Sequence, residues 1–365
     1  MIKVVYDHQI FGMQKYGGIS RYFFEISNRI NNFDEFNAEI LAPFYFNEYL
    51  RSQPHLVEGQ YLTHFPKTAK IRREFNNFVS RFIVNNSKPD IIHETYYQSN
   101  SIAPVKTPIV ITVYDMIHEK FSDQFPKRDK ISELKRIAVN RADHIICISN
   151  NTKKDLIEIF DIPPEKISVV HLGFSFENNE VLSSSAPVKK PYILYVGLRG
   201  KYKNFERLLK AFASSSFLSR NFILVSFGGG KFSFQEQQQI QKLGLNESNV
   251  CHLSGSDEVL KNLYKNATAF VYPSLYEGFG IPPLEAMSLN CPVICSNTSS
   301  IPEVVGNAGK YFNPLDIDDI KNAIESVIES ESLKKDLISR GQNQLKKFSW
   351  DLCAEQTAKI YTNLV

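Results

Sequence analysis

Short apolar runs alternate along most of the chain with longer segments in which apolar residues recur every three or four positions. Such runs suit strands buried on both faces, and the longer segments suit amphipathic helices; together they read as the βαβ plan of parallel sheets. In the first half, Ile2–Tyr6, Ala38–Leu41, Ile91–His93, Ile109–Tyr114, His144–Ile148 and Ile167–His171 are predicted strands. Ile19–Ile30, Lys130–Arg141 and Thr152–Phe160 are predicted helices. The pattern stops over Glu177–Pro191, a polar stretch carrying Ser183–Ser185 that reads as a linker. It restarts with strands at Tyr192–Val196, Phe222–Phe227, Val250–Leu253, Ala269–Tyr272 and Val293–Cys295. Helices are expected at Glu206–Ser214, Phe234–Leu243, Val259–Asn266 and Pro283–Leu289. The division this implies is a domain over 1–178, a linker over 179–190, a second domain over 191–348 and a terminal helix over 349–365.

Composition narrows the class. A length of 365 residues suits two domains, each with its own core. Forty-two Lys and Arg against 39 Asp and Glu leave +3, short of the clustered excess of a nucleic-acid binder, so no nucleic acid is expected as a partner. No run approaches the roughly 18 apolar residues of a spanning helix. The opening Met1-Ile2-Lys3-Val4-Val5-Tyr6 reads as a strand and lacks a signal peptide's apolar stretch, which points to a cytoplasmic protein. Cys147, Cys251, Cys291, Cys295 and Cys353 are too scattered for a disulfide framework, and no second pair or nearby His completes a zinc set around Cys291 and Cys295.

Chemistry is sought in the loops after strands, where doubly wound sheets bind ligands. The strongest such loop is Tyr276-Glu277-Gly278-Phe279-Gly280-Ile281-Pro282-Pro283-Leu284-Glu285-Ala286. Proline suits a first helical position, so a helix is expected to open near Pro282–Pro283. Gly278 and Gly280 let backbone approach a ligand, and the helix start offers N–H groups and partial positive charge to an anion. Glu277 and Glu285, with seven residues between them, supply carboxylates suited to the vicinal diols of sugars and ribose. Gly17-Gly18 follows the first strand; a tight turn or backbone contact with ligand oxygens both explain it. Gly228-Gly229-Gly230, after the strand Phe222–Phe227, reads as a weak phosphate signal or, more simply, as the flexible wall of a ligand cleft. Asp316-x-Asp318 reads as a helix cap, so no metal is implied.

On these residues the chain resembles the family 4 retaining glycosyltransferases of the GT-B fold, whose signature is this pair of glutamates with Gly-Phe-Gly after the first. The likeness extends through Val271-Tyr272-Pro273-Ser274 and Ile301-Pro302-Glu303-Val304-Val305-Gly306, and in the first half through Tyr16–Arg21 and Ile148–Lys153. Within the family it looks most like bacterial mannosyltransferases that build O-antigen and capsule polysaccharides. The resemblance implies two Rossmann-like, doubly wound domains facing across a cleft, a nucleotide-sugar donor such as GDP-mannose, an oligosaccharide acceptor that is lipid-linked, and no cofactor. It assigns a basic pair to the donor diphosphate, matched here by Lys203 and, with less regular spacing, Arg199 in Gly197-Leu198-Arg199-Gly200-Lys201-Tyr202-Lys203-Asn204. Phe279 and Ile281 share the donor loop, and base and ribose fall near Ser254, Gly255 and Val259. Members carry His where this chain has Tyr114; Tyr114 or His118 could contact the sugar, with Asp115 orienting whichever acts.

Residues 66–86 form a basic amphipathic segment. Ile71, Phe75, Phe78, Val79, Phe82 and Ile83 share a face flanked by Lys67, Lys70, Arg72, Arg73 and Arg81. Such helices commonly cover their own domain's core; the alternative is peripheral contact with an anionic membrane at the inner face of the cytoplasmic membrane. Two other functions fit the same fold, a sugar-nucleotide epimerase and a non-catalytic donor-binding subunit of a transferase complex.

Overall fold

The computed structural model describes residues 1–63, 68–176 and 188–365. Among the described residues thirteen strands form two sheets. The first holds β1 (Ile2–Tyr6), β2 (Phe36–Tyr45), β3 (Val57–Tyr61), β4 (Ile91–Glu94), β5 (Ile109–Val113), β6 (His144–Cys147) and β7 (Ile167–Val169), in the order β3-β2-β1-β4-β5-β6-β7. The second holds β8 (Tyr192–Val196), β9 (Ile223–Phe227), β10 (Val250–Leu253), β11 (Ala269–Tyr272), β12 (Val293–Ser296) and β13 (Gly309–Phe312), ordered β10-β9-β8-β11-β12-β13. Every pairing is parallel. The central strands β5, β11 and β12 are buried along their whole length, which is why they stand out as unbroken apolar runs. β3 and β13 were not among the predicted strands. Both are edge strands paired on one side only, and Val-Glu-Gly-Gln-Tyr and Gly-Lys-Tyr-Phe mix polar residues into the run.

The chain divides into Met1–Gly173 with Phe348–Val365, and Phe174–Lys347. The first break falls at Gly173, ahead of residue 178, for a packing reason. A Cβ on Gly173 would sit 2.4 Å from the Trp350 nitrogen, so the chain leaves the first unit against the segment that returns to it. Most of the linker expected over 179–190 lies outside the described residues. The terminal helix Trp350–Thr362 packs on helix Gly18–Ile30 and ends in a buried polar network. Tyr361 Oη lies 2.6 Å from His93 Nδ1 and donates to Tyr6 Oη at 3.1 Å, while His93 Nε2 meets Thr112 Oγ1 at 2.9 Å. Burial lowers the His93 pKa to about 3, so the ring is neutral and bridges two hydroxyls rather than carrying a charge.

The helix expected over 66–86 runs Ala69–Ser87, its first residues lying outside those described. Its apolar face is divided: Phe75 stacks on Phe44 with ring centres 4.7 Å apart and Ile83 packs against the cluster of Val5, Leu41, Val84 and Ile92, while the rest of the stripe turns outward. Ile71, Phe75, Phe78 and Phe82 are 75%, 43%, 76% and 69% exposed, whereas Asn76, Ser80 and Val84 face inward. Hydrogen bonds decide the orientation: Asn76 donates to Phe44 O and accepts from Phe44 N, each at 2.9 Å. No helix among the described residues is long and apolar enough to cross a membrane.

Candidate active site

In each sheet the strand order reverses between two central strands, β1 and β4 in the first and β8 and β11 in the second. Loops leaving the carboxyl ends of such a pair diverge and leave a crevice, the usual ligand position of doubly wound sheets.

In the second unit the loop after β8 runs Gly197–Asn204 and the loop after β11 runs Pro273–Gly280. Asn204, in the left-handed region at φ 58, donates its carboxamide to Pro273 O (3.0 Å) and Pro314 O (2.7 Å). Leu275 N donates to Tyr202 O at 2.7 Å, so the two loops are stitched side by side. Lys203, one residue before this strap, donates through Nζ to both oxygens of Glu277, at 2.6 and 2.9 Å. The Glu277 backbone is fixed as well. Its N–H donates to Ser299 Oγ (2.9 Å), and Ser300 Oγ lies 2.8 Å from the carbonyls of Glu277 and Phe279. Glu277 is buried and Lys203 half-buried, so the charges act on each other through a weaker dielectric than water. Beside them burial, then the Glu277 carboxylate, pushes the Tyr272 phenol well above its ordinary pKa, leaving a neutral hydroxyl.

The helix after this loop is Ile281–Ser288, opening after Gly280 at φ 118. Pro282 and Pro283 carry no N–H, so of the first three helical positions only Ile281 can donate to an anion. Phe279 is buried under the loop. Glu285 is oriented from the neighbouring helix Asp257–Asn266: the hydroxyl of fully buried Tyr264 donates to its Oε2 at 2.9 Å. Tyr264 carries no signal in the sequence beyond being an aromatic on a helix. Ser254, Gly255 and Val259 lie together after β10, where a Cβ on Gly255 would come within 2.9 Å of the Val259 side chain. β10 is an edge strand, with β9 between it and β8, so these three stand at the margin of the crevice.

In the structure Arg199 is held by protein partners. Its Nε donates to Glu236 Oε1 (2.7 Å), Nη1 to Gly228 O (3.0 Å), and Nη2 to Gly230 O (3.0 Å) and Lys231 O (3.1 Å). The guanidinium also lies 4.7 Å from the Phe232 ring centre, and the side chain is 4% exposed. Its hydrogen-bonding directions are taken up by the protein. Gly228, Gly229 and Gly230 all have positive φ, and a Cβ on Gly229 would stand 3.1 Å from Arg199 Nη1. The triple glycine is thus a shaped collar around an arginine, not a flexible wall. Burial opposes ionisation of Glu236, but its bonds to Arg199 hold the carboxyl below its usual range.

In the first unit, Asp7 after β1 is buried and accepts from Thr95 N (3.0 Å), Thr95 Oγ1 (2.6 Å) and Gln9 Nε2 (2.6 Å), locking the β1 loop to the β4 loop. Gly17 is extended, but a Cβ there would strike Gln14, whose Oε1 accepts from Ser20 N at 3.1 Å. Gly18 faces open space. Tyr114, at the end of β5, is buried and donates to Thr95 O at 3.4 Å; burial pushes its phenol well above the ordinary range. His118 stacks on Phe125 with ring centres 4.0 Å apart and lies 3.6 Å from Asp129 Oδ2. Tyr114 and His118 are brought together on a cavity of about 30 Å³, shared with Asp115, Tyr96, Tyr97 and Lys135. Asp115 Oδ1 accepts from Ile117 N (2.9 Å), which shapes the turn carrying His118. Sequence reasoning missed Lys135. It is 1% exposed, and its Nζ donates to Asp115 O and Glu119 Oε2, both at 2.8 Å. A lysine between helical apolar positions reads as solvated, so only the fold reveals that it pins the Asp115–Glu119 turn.

Asp316 Oδ1 accepts from Asp318 N (2.9 Å) and Asp319 N (3.1 Å) and caps the helix Ile317–Ile328. Among the described residues no three His, Cys, Asp or Glu side chains converge as metal ligands.

Two parallel, doubly wound units, with a lysine–carboxylate pair at the switch point of one and a tyrosine-lined cavity in the other, define the class of protein. The chain matches the family described as "Glycosyltransferase Family 4" over residues 16–178 and that described as "Glycosyl transferases group 1" over residues 177–344. It belongs to this glycosyltransferase family and is a glycosyltransferase. It is 29% identical over 326 residues to O-antigen chain mannosyltransferase B of Escherichia coli, spanning 86% of this chain and 81% of that one. It is 34% identical over 244 residues to O-antigen chain mannosyltransferase RfbU of Salmonella typhimurium (strain LT2), spanning 66% and 65%. The crystal structure of Anabaena Alr3699/HepE in complex with UDP-glucose superposes with a TM-score of 0.74 at 19% identity over the whole of both chains, a likeness of fold. The fold is GT-B.

Proposed function

We propose that the protein transfers mannose from GDP-mannose to a growing, lipid-linked oligosaccharide in surface polysaccharide synthesis, with retention at the anomeric carbon. The observation that carries this reading is the Lys203–Glu277 pair, held where the second sheet's order reverses. A nucleoside diphosphate gains charge as it departs, and an ammonium already in place favours the departing state over the bound one. Lys203 supplies that charge, so no metal or organic cofactor enters the reading. Glu277 accepts hydrogen bonds from sugar hydroxyls, and Glu285, aimed by Tyr264, accepts from the ribose diol. The acceptor hydroxyl oxygen bonds to the anomeric carbon on the face from which the diphosphate leaves. The carbon–oxygen bond to the diphosphate breaks, and the hydroxyl proton passes to a phosphate oxygen, giving GDP and the extended glycan. Tyr114 and His118 are the first unit's candidates for sugar contact. Similarity to O-antigen mannosyltransferases supports mannose over other hexoses.

A lipid-linked acceptor places the protein at the inner face of the cytoplasmic membrane. The outward stripe of helix Ala69–Ser87 supports such peripheral contact: its apolar residues lie among Lys70, Arg72, Arg73 and Arg81, with Glu74 the single acidic residue of the helix. The test is a donor screen by thermal shift, followed by product mass with a phosphate-linked acceptor. GDP-mannose is expected to raise the melting temperature more than UDP-glucose and to extend the glycan by one hexose. Donor conversion without acceptor would establish an epimerase instead, and binding without turnover an accessory subunit.

A further inference from the structure

His118 lines two cavities of the first unit. One is the small cavity it shares with Tyr114; the other, about 420 Å³, lies among residues 118–129, helix Ile131–Arg141 and the end of helix Asn150–Phe160. That volume falls within the usual small-molecule range of about 300–1,000 Å³. Two of its walls carry flat groups: His118 stacks on Phe125 with ring centres 4.0 Å apart, and the Arg136 guanidinium lies 4.3 Å from the centre of the Phe160 ring. The charge around it balances, with Lys127 and Arg136 against Glu119 and Asp129. Ser122 and Ser132 add hydroxyls that both donate and accept. Glu119 is the residue that points to a ligand. Its side chain is 3% exposed and its Oε2 accepts from Lys135 Nζ at 2.8 Å, while Oε1 is buried with no hydrogen-bond partner in the protein. Glu119 borders the larger cavity and not the smaller one. A buried carboxylate oxygen left unmet costs free energy, and a donor hydroxyl in the cavity would remove that cost.

We propose that this cavity is a subsite for the acceptor glycan: it holds one neutral sugar residue remote from the hydroxyl that reacts, so that the protein selects acceptors by length. The proposal rests on the transferase reading above and adds to it the place where the far part of the acceptor is held. An ion of either sign gains little from a cavity whose cations and carboxylates cancel, which favours a neutral occupant. A pyranose sets apolar C–H edges beside hydroxyls, matching ring walls interspersed with serine, carboxylate and guanidinium. Its hydroxyls donate as well as accept, and a donor is what Glu119 Oε1 lacks. His118 joins this cavity to the one beside Tyr114, so a glycan seated here continues toward the sugar-contact candidates. Contacts so far from the reacting bond hold the acceptor equally in the ground and transition states, so their effect falls on KM rather than kcat.

The test uses the full chain with methyl α-mannoside and α-linked mannotetraose as acceptors. Occupancy is read without turnover from the δ1 methyl NMR signal of Ile159, which borders the cavity, assigned through Ile159→Val. Selectivity is read from kcat/KM with GDP-mannose as donor. In wild type the tetraose is expected to shift the Ile159 signal, the monosaccharide glycoside to leave it in place, and the tetraose to be used about 10-fold better, chiefly through KM. Ser132→Trp fills the cavity; it is expected to lose the shift and to bring the two acceptors within about 2-fold of each other, with transfer to methyl α-mannoside unchanged. Arg136→Ala, at an exposed position, is expected to move both readouts the same way and serves where a thermal melt shows the tryptophan variant unfolded. An Ile159 signal unmoved by the tetraose, or full length preference in the folded variants, would overturn the subsite while leaving the transferase standing. An intact Ile159 shift with no transfer from GDP-mannose to either acceptor would overturn the transferase reading, and the acceptor role with it.

Discussion

In the second unit, the groups that meet beyond the sheet come from two loops adjacent in the strand order, and each carries its chemistry beside the residues that shape it. Lys203 is followed by the strap Asn204, and Glu277 by glycines and prolines that open a helix. In the first unit the cavity beside Tyr114 is assembled from Ile19, Tyr96–Tyr97, Asp115–His118 and Lys135, four separate places in the chain. The lysine–carboxylate pair is a compact device written in two short runs of residues. The tyrosine-lined cavity is made by packing, and its positions are spread accordingly.

This contrast can be broken most directly at Lys203. Lys203→Ala removes the ammonium that the proposed reading sets against the leaving group and is expected to lower kcat about 10²–10³-fold with the fold intact. Steady-state transfer assays with a thermal melt check it, and wild-type kcat would remove the pair from the chemistry. Arg199→Ala should act on the other side of the ledger between catalysis and stability. It leaves Glu236 half-buried without its partner and three carbonyls of the glycine collar without their donor, costing about 3 kcal/mol, while kcat per folded molecule stays near wild type. Equal losses of kcat in both variants would place both cations on the donor.

The first unit predicts a pH effect. Burial pushes the Glu94 carboxyl up to about 7 against the opposing pull of Arg141, 2.6 Å away. The folded chain therefore keeps a proton that the unfolded chain releases at the ordinary value of 4.5. The resulting stabilisation is full below that value and is lost as pH rises through about 7. Glu94→Gln should flatten this slope, removing on the order of 1–3 kcal/mol of pH dependence between the two limits, as read from denaturant melts across the window. The smallest effect is on helix Ala69–Ser87. Phe78→Ser should change stability by less than about 0.5 kcal/mol, whereas Val84→Ala on its buried face should cost about 1–2 kcal/mol. Equivalent losses would mean the stripe is packed after all.

Much of the fold was legible because buried parallel strands must be apolar along their length; β5, β11 and β12 are continuous runs for that reason. β3 and β13 escape that demand: Val-Glu-Gly-Gln-Tyr and Gly-Lys-Tyr-Phe are edge strands whose runs are broken by polar residues and glycine, and so they are not read as strands. Lys203, Glu277 and Glu285 were legible through a compact motif. Arg199 was not, because its partners Gly228, Gly230, Lys231 and Glu236 lie on another loop, and a loop arginine does not announce whether it faces ligand or backbone. Lys135 and Tyr264 were hidden in helices whose periodicity marks burial but not purpose. The 69–87 helix shows the limit of amphipathicity itself. The pattern identified the apolar side, but the carboxamide of Asn76, bonded to Phe44, decided which side turns inward.

The central claim is that Lys203 and Glu277 carry a same-face transfer of mannose. The measurement that tests it most directly is the anomeric configuration and yield of the product formed from GDP-α-mannose by wild type and by Lys203→Ala, read by one- and two-dimensional NMR. The account predicts an α-linked mannoside from wild type and product formation slowed about 10²–10³-fold in the variant. A β-linked product, or equal yields at equal times from both proteins, would contradict it.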